Sequence, residues 1–126
     1  MNTLTKFLFL SCAFFGFSGV ALGAFGAHAL KARLGPDAMA IYQTAVQYQF
    51  WHALGIGLIA LTLLHMPASA TLKWAGVLMA IGVVLFSGSL YALAISGIRS
   101  WGMITPLGGA TWLVAWTLFG WALWRS

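Results

Sequence analysis

From Phe7 to Leu30 the chain reads FLFLSCAFFGFSGVALGAFGAHAL, 24 residues without a charged side chain. At about 1.5 Å of rise per residue, a helix of this length covers about 36 Å, enough to cross the roughly 30 Å of hydrocarbon in a bilayer. Its flanks suit a span, with Lys6 before it and Lys31 and Arg33 after it. The same stretch imitates a secretory signal, since Lys6 is followed by an apolar run and by Ala27-His28-Ala29 as an A-x-A-like site. The run is longer than the apolar core of such a signal, so it is expected to remain as a spanning helix.

Working outward, the remaining sequence repeats this character. Of 126 residues, 62% are hydrophobic and 6% charged, with a mean hydropathy of +0.96. That leaves too little polar surface for a water-soluble globule, so lipid must cover much of the outside. No linker divides the chain, and it reads as one all-α domain over residues 1–126, an integral membrane four-helix bundle. Gly35-Pro36 breaks the first helix, and Asp37 stands at or near the N-cap of the next. Residues 37–49 carry Tyr42, Gln43, Gln47, Tyr48 and Gln49 and are expected to lie as an interfacial helix before a second span at about 50–66. Pro67 stops that span. A third follows at about 74–98 and ends at Arg99, Ser100 to Gly102 form a turn, and a fourth runs over about 103–124 to Arg125.

Four passes place Trp51 and Trp101 on one side and Trp74, Trp121 and Trp124 on the other, as two interfacial aromatic belts. Orientation stays open, because Lys6, Lys73 and Arg125 balance Lys31, Arg33 and Arg99. The net charge of +5 is scattered singly at helix ends, which points to anionic lipid headgroups and away from nucleic acid. The lone Cys12 allows no intrachain disulfide and reads as a packing residue.

Gly16, Gly19, Gly23 and Gly26 recur at spacings of three and four and share one narrow face of the first helix. Gly82 and Ser89 belong to a weaker stripe of small residues on the third. Such faces let helix backbones approach closely in lipid. They serve either packing within the bundle or assembly as a homo-oligomer or with a larger membrane complex. His28 lies about 120° or more around the helix from the glycines, so it can face the second helix while the glycines face the third or fourth.

The four-pass trace gathers His28, Gln43, Gln47, Tyr48, Gln49, His52, Ser89, Tyr91, Arg99 and Thr105 toward one membrane face. Polar groups at membrane depth cost free energy unless they meet one another, water or a ligand. His28, Tyr48, Gln49, His52, Arg99 and Thr105 are therefore the candidate ligand-binding residues. Arg99 can clamp an anion or anchor topology. Thr105 can cap the fourth helix ahead of Pro106. Two neutral imidazoles, His28 and His52, on separate helices are what a b-type haem requires, and this leaves a haem or quinone redox module as an alternative. No complete metal set is present, and no metal or cofactor is assigned. Paired carboxylates, a Ser-His-Asp set and a phosphate loop are all absent from the sequence, which argues against a hydrolytic or group-transfer enzyme.

The blocks Gly23-Ala-Phe-Gly-Ala-His-Ala-Leu30, Tyr42-Gln-Thr-Ala-Val-Gln-Tyr-Gln-Phe-Trp-His-Ala-Leu54, Phe86-Ser-Gly-Ser-Leu-Tyr91 and Ile104-Thr-Pro-Leu-Gly-Gly109 resemble the YgdD-like family. That family comprises small bacterial inner-membrane proteins of unknown function and has eukaryotic transmembrane relatives. The resemblance implies a four-helix protein of the bacterial inner membrane and carries over no activity, catalytic residue or cofactor. The residues themselves point to a non-catalytic protein whose polar leaflet binds or passes a small ligand or lipid headgroup. The alternative is an accessory subunit docked through its glycine face.

Overall fold

The computed structural model describes residues 1–126 as α1 (Thr3–His28), α2 (Pro36–His65), α3 (Ala70–Ser96) and α4 (Thr105–Trp124). Short 3-10 turns at Leu30–Ala32 and Arg99–Met103 complete the loops. Local chemistry sets the ends. The Asn2 side chain accepts from the Thr5 amide at 2.8 Å, and the Ser69 hydroxyl accepts from the Leu72 amide at 3.2 Å, each satisfying an orphan donor of a helix start. Pro36 opens α2 with Asp37 in its first turn, and Gly97 closes α3 at φ 71°, a left-handed cap that a residue with a Cβ resists.

The helices form an antiparallel meander. α2 and α3 are central, α1 packs mainly on α2, α4 packs on α3, and α1 only grazes α3. The connections α1–α2 and α3–α4 share one end of the bundle, called here the loop end; the two termini and the α2–α3 connection share the other, the terminal end. The main core fills the middle and the terminal end with Leu8, Ile56, Ile59, Leu63, Leu72 and Met79. A smaller cluster of Leu30, Tyr42 and Ala94 closes the loop end.

Three helical stretches, Thr3–His28, Ala70–Ser96 and Arg99–Trp124, are long and apolar enough to cross a membrane. α2 is less apolar yet, at 30 residues, is the longest of the four. It runs alongside α1 from Tyr42 against Gly26 to Gly57 against Cys12, so it crosses with its neighbours, which cover Tyr42, Gln49 and His52.

The structure corrects several expectations. Residues 37–49, expected as the interfacial start of the second helix, run on without a break into the rest of α2, and within them Tyr42, Ala45 and Gln49 are buried. Hence Trp51 stands about 22 Å along α2 from Pro36, too deep to share a belt with Trp101 at the loop end. The glycine face meets α2 and not α3 or α4, with Phe50 and Gln49 at Gly19, Val46 at Gly23 and Tyr42 at Gly26, while Gly16 has open space beside it. A face proposed for a separate partner is thus largely covered by the same chain. Thr105 does not cap α4, because Ile104 holds that position and the Thr105 hydroxyl turns to α3.

Close approach elsewhere also rests on glycine. Gly82 leaves the room that the Trp112 indole occupies, and a methyl at Gly108 would lie 2.5 Å from the Phe86 backbone nitrogen.

Candidate functional site

Gln49 is the polar hub. It is 3% exposed and its carboxamide joins three helices. Nε2 donates to the Phe15 carbonyl at 3.0 Å and to the Ser18 hydroxyl at 2.8 Å on α1, while Oε1 accepts from the Tyr91 hydroxyl on α3 at 2.7 Å. The carbonyl partner fixes the amide orientation, since only the nitrogen can donate to it. Around this hub the Tyr42 hydroxyl donates to the Leu22 carbonyl, and the Ser87 hydroxyl donates to the Ala45 carbonyl at 2.7 Å. The Ser89 and Thr105 hydroxyls pair at 2.6 Å between α3 and α4.

His52 belongs to a second assembly at mid-height. Its Nδ1 donates to the Tyr48 carbonyl at 2.8 Å, and its Nε2 lies 3.1 Å from the indole Nε1 of Trp116. An indole N–H only donates, so Nε2 accepts and the ring is the neutral Nδ1–H tautomer. The imidazole stacks on Trp112 with centroids 3.5 Å apart and planes within 7°, and Trp112 donates in turn to the Met79 carbonyl at 3.0 Å. Tyr48 continues the aromatic group beside His52, Trp51 and Phe86. No buried side-chain nitrogen or oxygen is left without a partner.

The expected site residues are therefore divided. Gln49, Tyr48, His52 and Thr105 lie in the bundle and bond or stack with other helices. His28 and Arg99 are exposed at the loop end and join neither assembly. Since Gly26 faces Tyr42, His28 is abreast of about residue 40, and His52 stands about 18 Å further along α2, beyond reach of a shared metal or haem iron. Ser18, Trp112 and Trp116 had not been singled out from sequence. The signal was present in part, because Trp112 and Trp116 stand four apart and so share a face of α4.

Two openings flank the hub. Between α1 and α3, where these helices diverge, lies a groove of about 280 Å³ lined by Phe14, Phe15, Ser18, Leu22, Gln49, Val83, Val84, Ser87, Gly88 and Tyr91. A cleft of about 200 Å³ between α1 and α2 is rimmed by Gln43 and Gln47.

Proton counting shows what the groove floor offers. Ser18 donates to the Phe14 carbonyl at 2.8 Å, Gln49 uses both amide hydrogens, and Ser87 and Tyr91 each use their only one. Lone pairs on oxygen are what remain.

Four antiparallel helices, three of them long and apolar enough to span a membrane, with their buried polar side chains all partnered, define a multi-pass membrane protein. Residues 22–109 match the family described as "Protein of unknown function (DUF423)". The chain is 43% identical over 114 residues to the UPF0382 inner membrane protein YgdD of Escherichia coli strain K12, covering 90% of this chain and 86% of that one. It is 44% identical over 99 residues to the UPF0382 membrane protein SH2409 of Staphylococcus haemolyticus, covering 79% and 80%. This chain belongs to that family, and it is a multi-pass protein of the bacterial inner membrane. No solved structure matches it significantly.

Proposed function

We propose that this protein is a non-catalytic membrane protein that holds a lipid-soluble molecule in the groove between α1 and α3, and that the molecule carries a hydroxyl or N–H donor. The observation that supports this reading is a groove open toward lipid in which half-buried Ser18 and Tyr91 lie over buried Gln49 and Ser87, with the polar hydrogens of all four already engaged. An anion or a simple ketone would bring a second acceptor to these oxygens. An alcohol, a quinol or an amide would bring the missing proton, in surroundings where an unmet polar group is costly. The walls, Phe14, Phe15, Leu22, Val83 and Val84, suit an acyl or isoprenoid tail. The groove contributes no carboxylate, imidazole or thiol for acid–base or nucleophilic work, which favours binding over turnover.

The test uses purified protein in lipid nanodiscs with two photoactivatable diazirine probes, a long-chain alcohol and its methyl ether. The alcohol should label the α1 and α3 segments around Phe14 and Val84 at least several-fold more than the ether. Gly88→Leu should abolish that preference without disturbing the fold, because a Cβ at Gly88 meets nothing within 4 Å. Equal labelling by both probes would reduce the groove to ordinary lipid contact and sink the proposal.

A further inference from the structure

α2 turns a face away from both of its neighbours. Gln43, Gln47, Leu54, Leu58 and Leu61 are all exposed at steps of three, four or seven, with Gln43 and Gln47 bordering the cleft toward α1 and Phe50, packed on Gly19, at that same edge. Any outward face repeats in this way, so the spacing decides nothing alone. The chemistry decides it. The outward faces of α1, α3 and α4 show lipid Phe17, Val20, Ile81, Ile95, Leu113 and Val114, and their exposed Ser96 and Thr117 hydroxyls bond back to their own helices. Gln43 and Gln47 are different, for their carboxamides bond to no group of the chain, whereas the neighbouring Gln49 is fully engaged.

Their depth makes this costly. Val46, beside Gln47, packs on Gly23, and Tyr42, beside Gln43, packs on Gly26 and clusters with Leu30 and Ala94. Gln47 thus stands about 9 Å inside the end of α1, where water is scarce and an unmet amide is unfavourable, and Gln43 lies about one turn nearer the loop end.

We propose that α2 is a homodimer interface, in which a second copy of this chain lies against the face through Gln43 and Gln47, related by a twofold axis along the membrane normal. A carboxamide carries both a donor and an acceptor, so it is complementary to an identical group across a twofold, as a lysine or a carboxylate is not. In a parallel pair each Gln meets its own counterpart. Leu54, Leu58 and Leu61 continue the seam toward the terminal end as ordinary apolar packing, and the two polar positions fix its register. The groove between α1 and α3 stays free, so this inference stands apart from the ligand reading.

The experiment is disulfide trapping of the full chain in nanodiscs or native membranes, in a Cys12→Ala background. Leu54→Cys should cross-link to a dimer readily, and Leu113→Cys on the outer face of α4 should cross-link at least tenfold less. Adding Gln43→Leu and Gln47→Leu to the Leu54→Cys chain should lower cross-linking at dilute protein-to-lipid ratio by about tenfold, as expected for the loss of two interhelical amide pairs. Both replaced side chains are exposed, so folding is unaffected. Equal trapping through Leu113→Cys, trapping that survives both leucines, or a chain that is monomeric by single-molecule photobleaching would overturn the proposal. A lipid headgroup seated in the adjacent cleft would give that last, monomeric result.

Discussion

The two ends of this bundle are held together differently. At the terminal end, Leu8 fits over Gly76, Cys12 fits against Gly57, and Ile59, Leu63, Leu72 and Ala75 fill the space, with Thr5 the one buried polar residue there. From mid-height to the loop end, Gln49, Tyr91, Tyr42, Ser87 and the Ser89–Thr105 pair tie the helices by hydrogen bonds. Lipid tails are as apolar as leucine, so the terminal end gains no hydrophobic drive between helices and depends on shape and dispersion. The loop end depends on directed bonds that a smooth apolar face cannot supply. Tight packing is thus one mechanism with many contributors, and the polar end is another with few.

That contrast can be broken by substitution. The largest effect is expected at the shared constraint of close approach, where Gly108→Leu forces α4 off the Phe86 backbone; it should cost more than about 3 kcal/mol or prevent folding, read as loss of the thermal transition in detergent. Next, Leu72→Ala at the terminal end should cost about 2–4 kcal/mol through a cavity, measured by unfolding in mixed micelles. At the loop end, Gln49→Leu removes three hydrogen bonds and should cost about 1–3 kcal/mol, leaving the Tyr91 and Ser18 hydroxyls to find new partners. Trp116→Phe deletes the indole bond to His52 and the benzo-ring packing on Gly55 and should cost about 1–2 kcal/mol. His28→Ala and Arg99→Ala, exposed and outside both assemblies, should change stability by less than about 0.5 kcal/mol, and a larger loss would place them in the bonded end after all.

The sequence made the bundle legible because apolar length is a strong signal, and it located the polar chemistry at one end because alternating passes bring those segments together. Pairing was harder to read. The glycine stripe of α1 announced a close neighbour without naming α2, since spacing gives a face and not its partner. Residues 37–49 looked interfacial because five polar or amphipathic side chains in a short window resemble a wet surface. In the fold, Tyr42 and Gln49 are covered by α1 and α3 while Gln43 and Gln47 stay exposed, so the window has one buried side and one open side. His52 stood out as an intramembrane imidazole, but its Trp112 and Trp116 partners lie some 60 residues away and no local pattern links them. Gln43 and Gln47, absent from the expected site, gained meaning only once Gln49 was seen to be engaged.

The claim that hydrogen bonds across helices hold the loop end is tested most directly by a double-mutant cycle on Gln49 and Tyr91, with unfolding free energies measured for Gln49→Leu, Tyr91→Phe and the pair. A coupling of about 0.6–1.7 kcal/mol between the two sites is predicted, in the range of interhelical hydrogen bonds in membrane proteins. Additive losses with no coupling would contradict the account and leave both ends of the bundle held by packing alone.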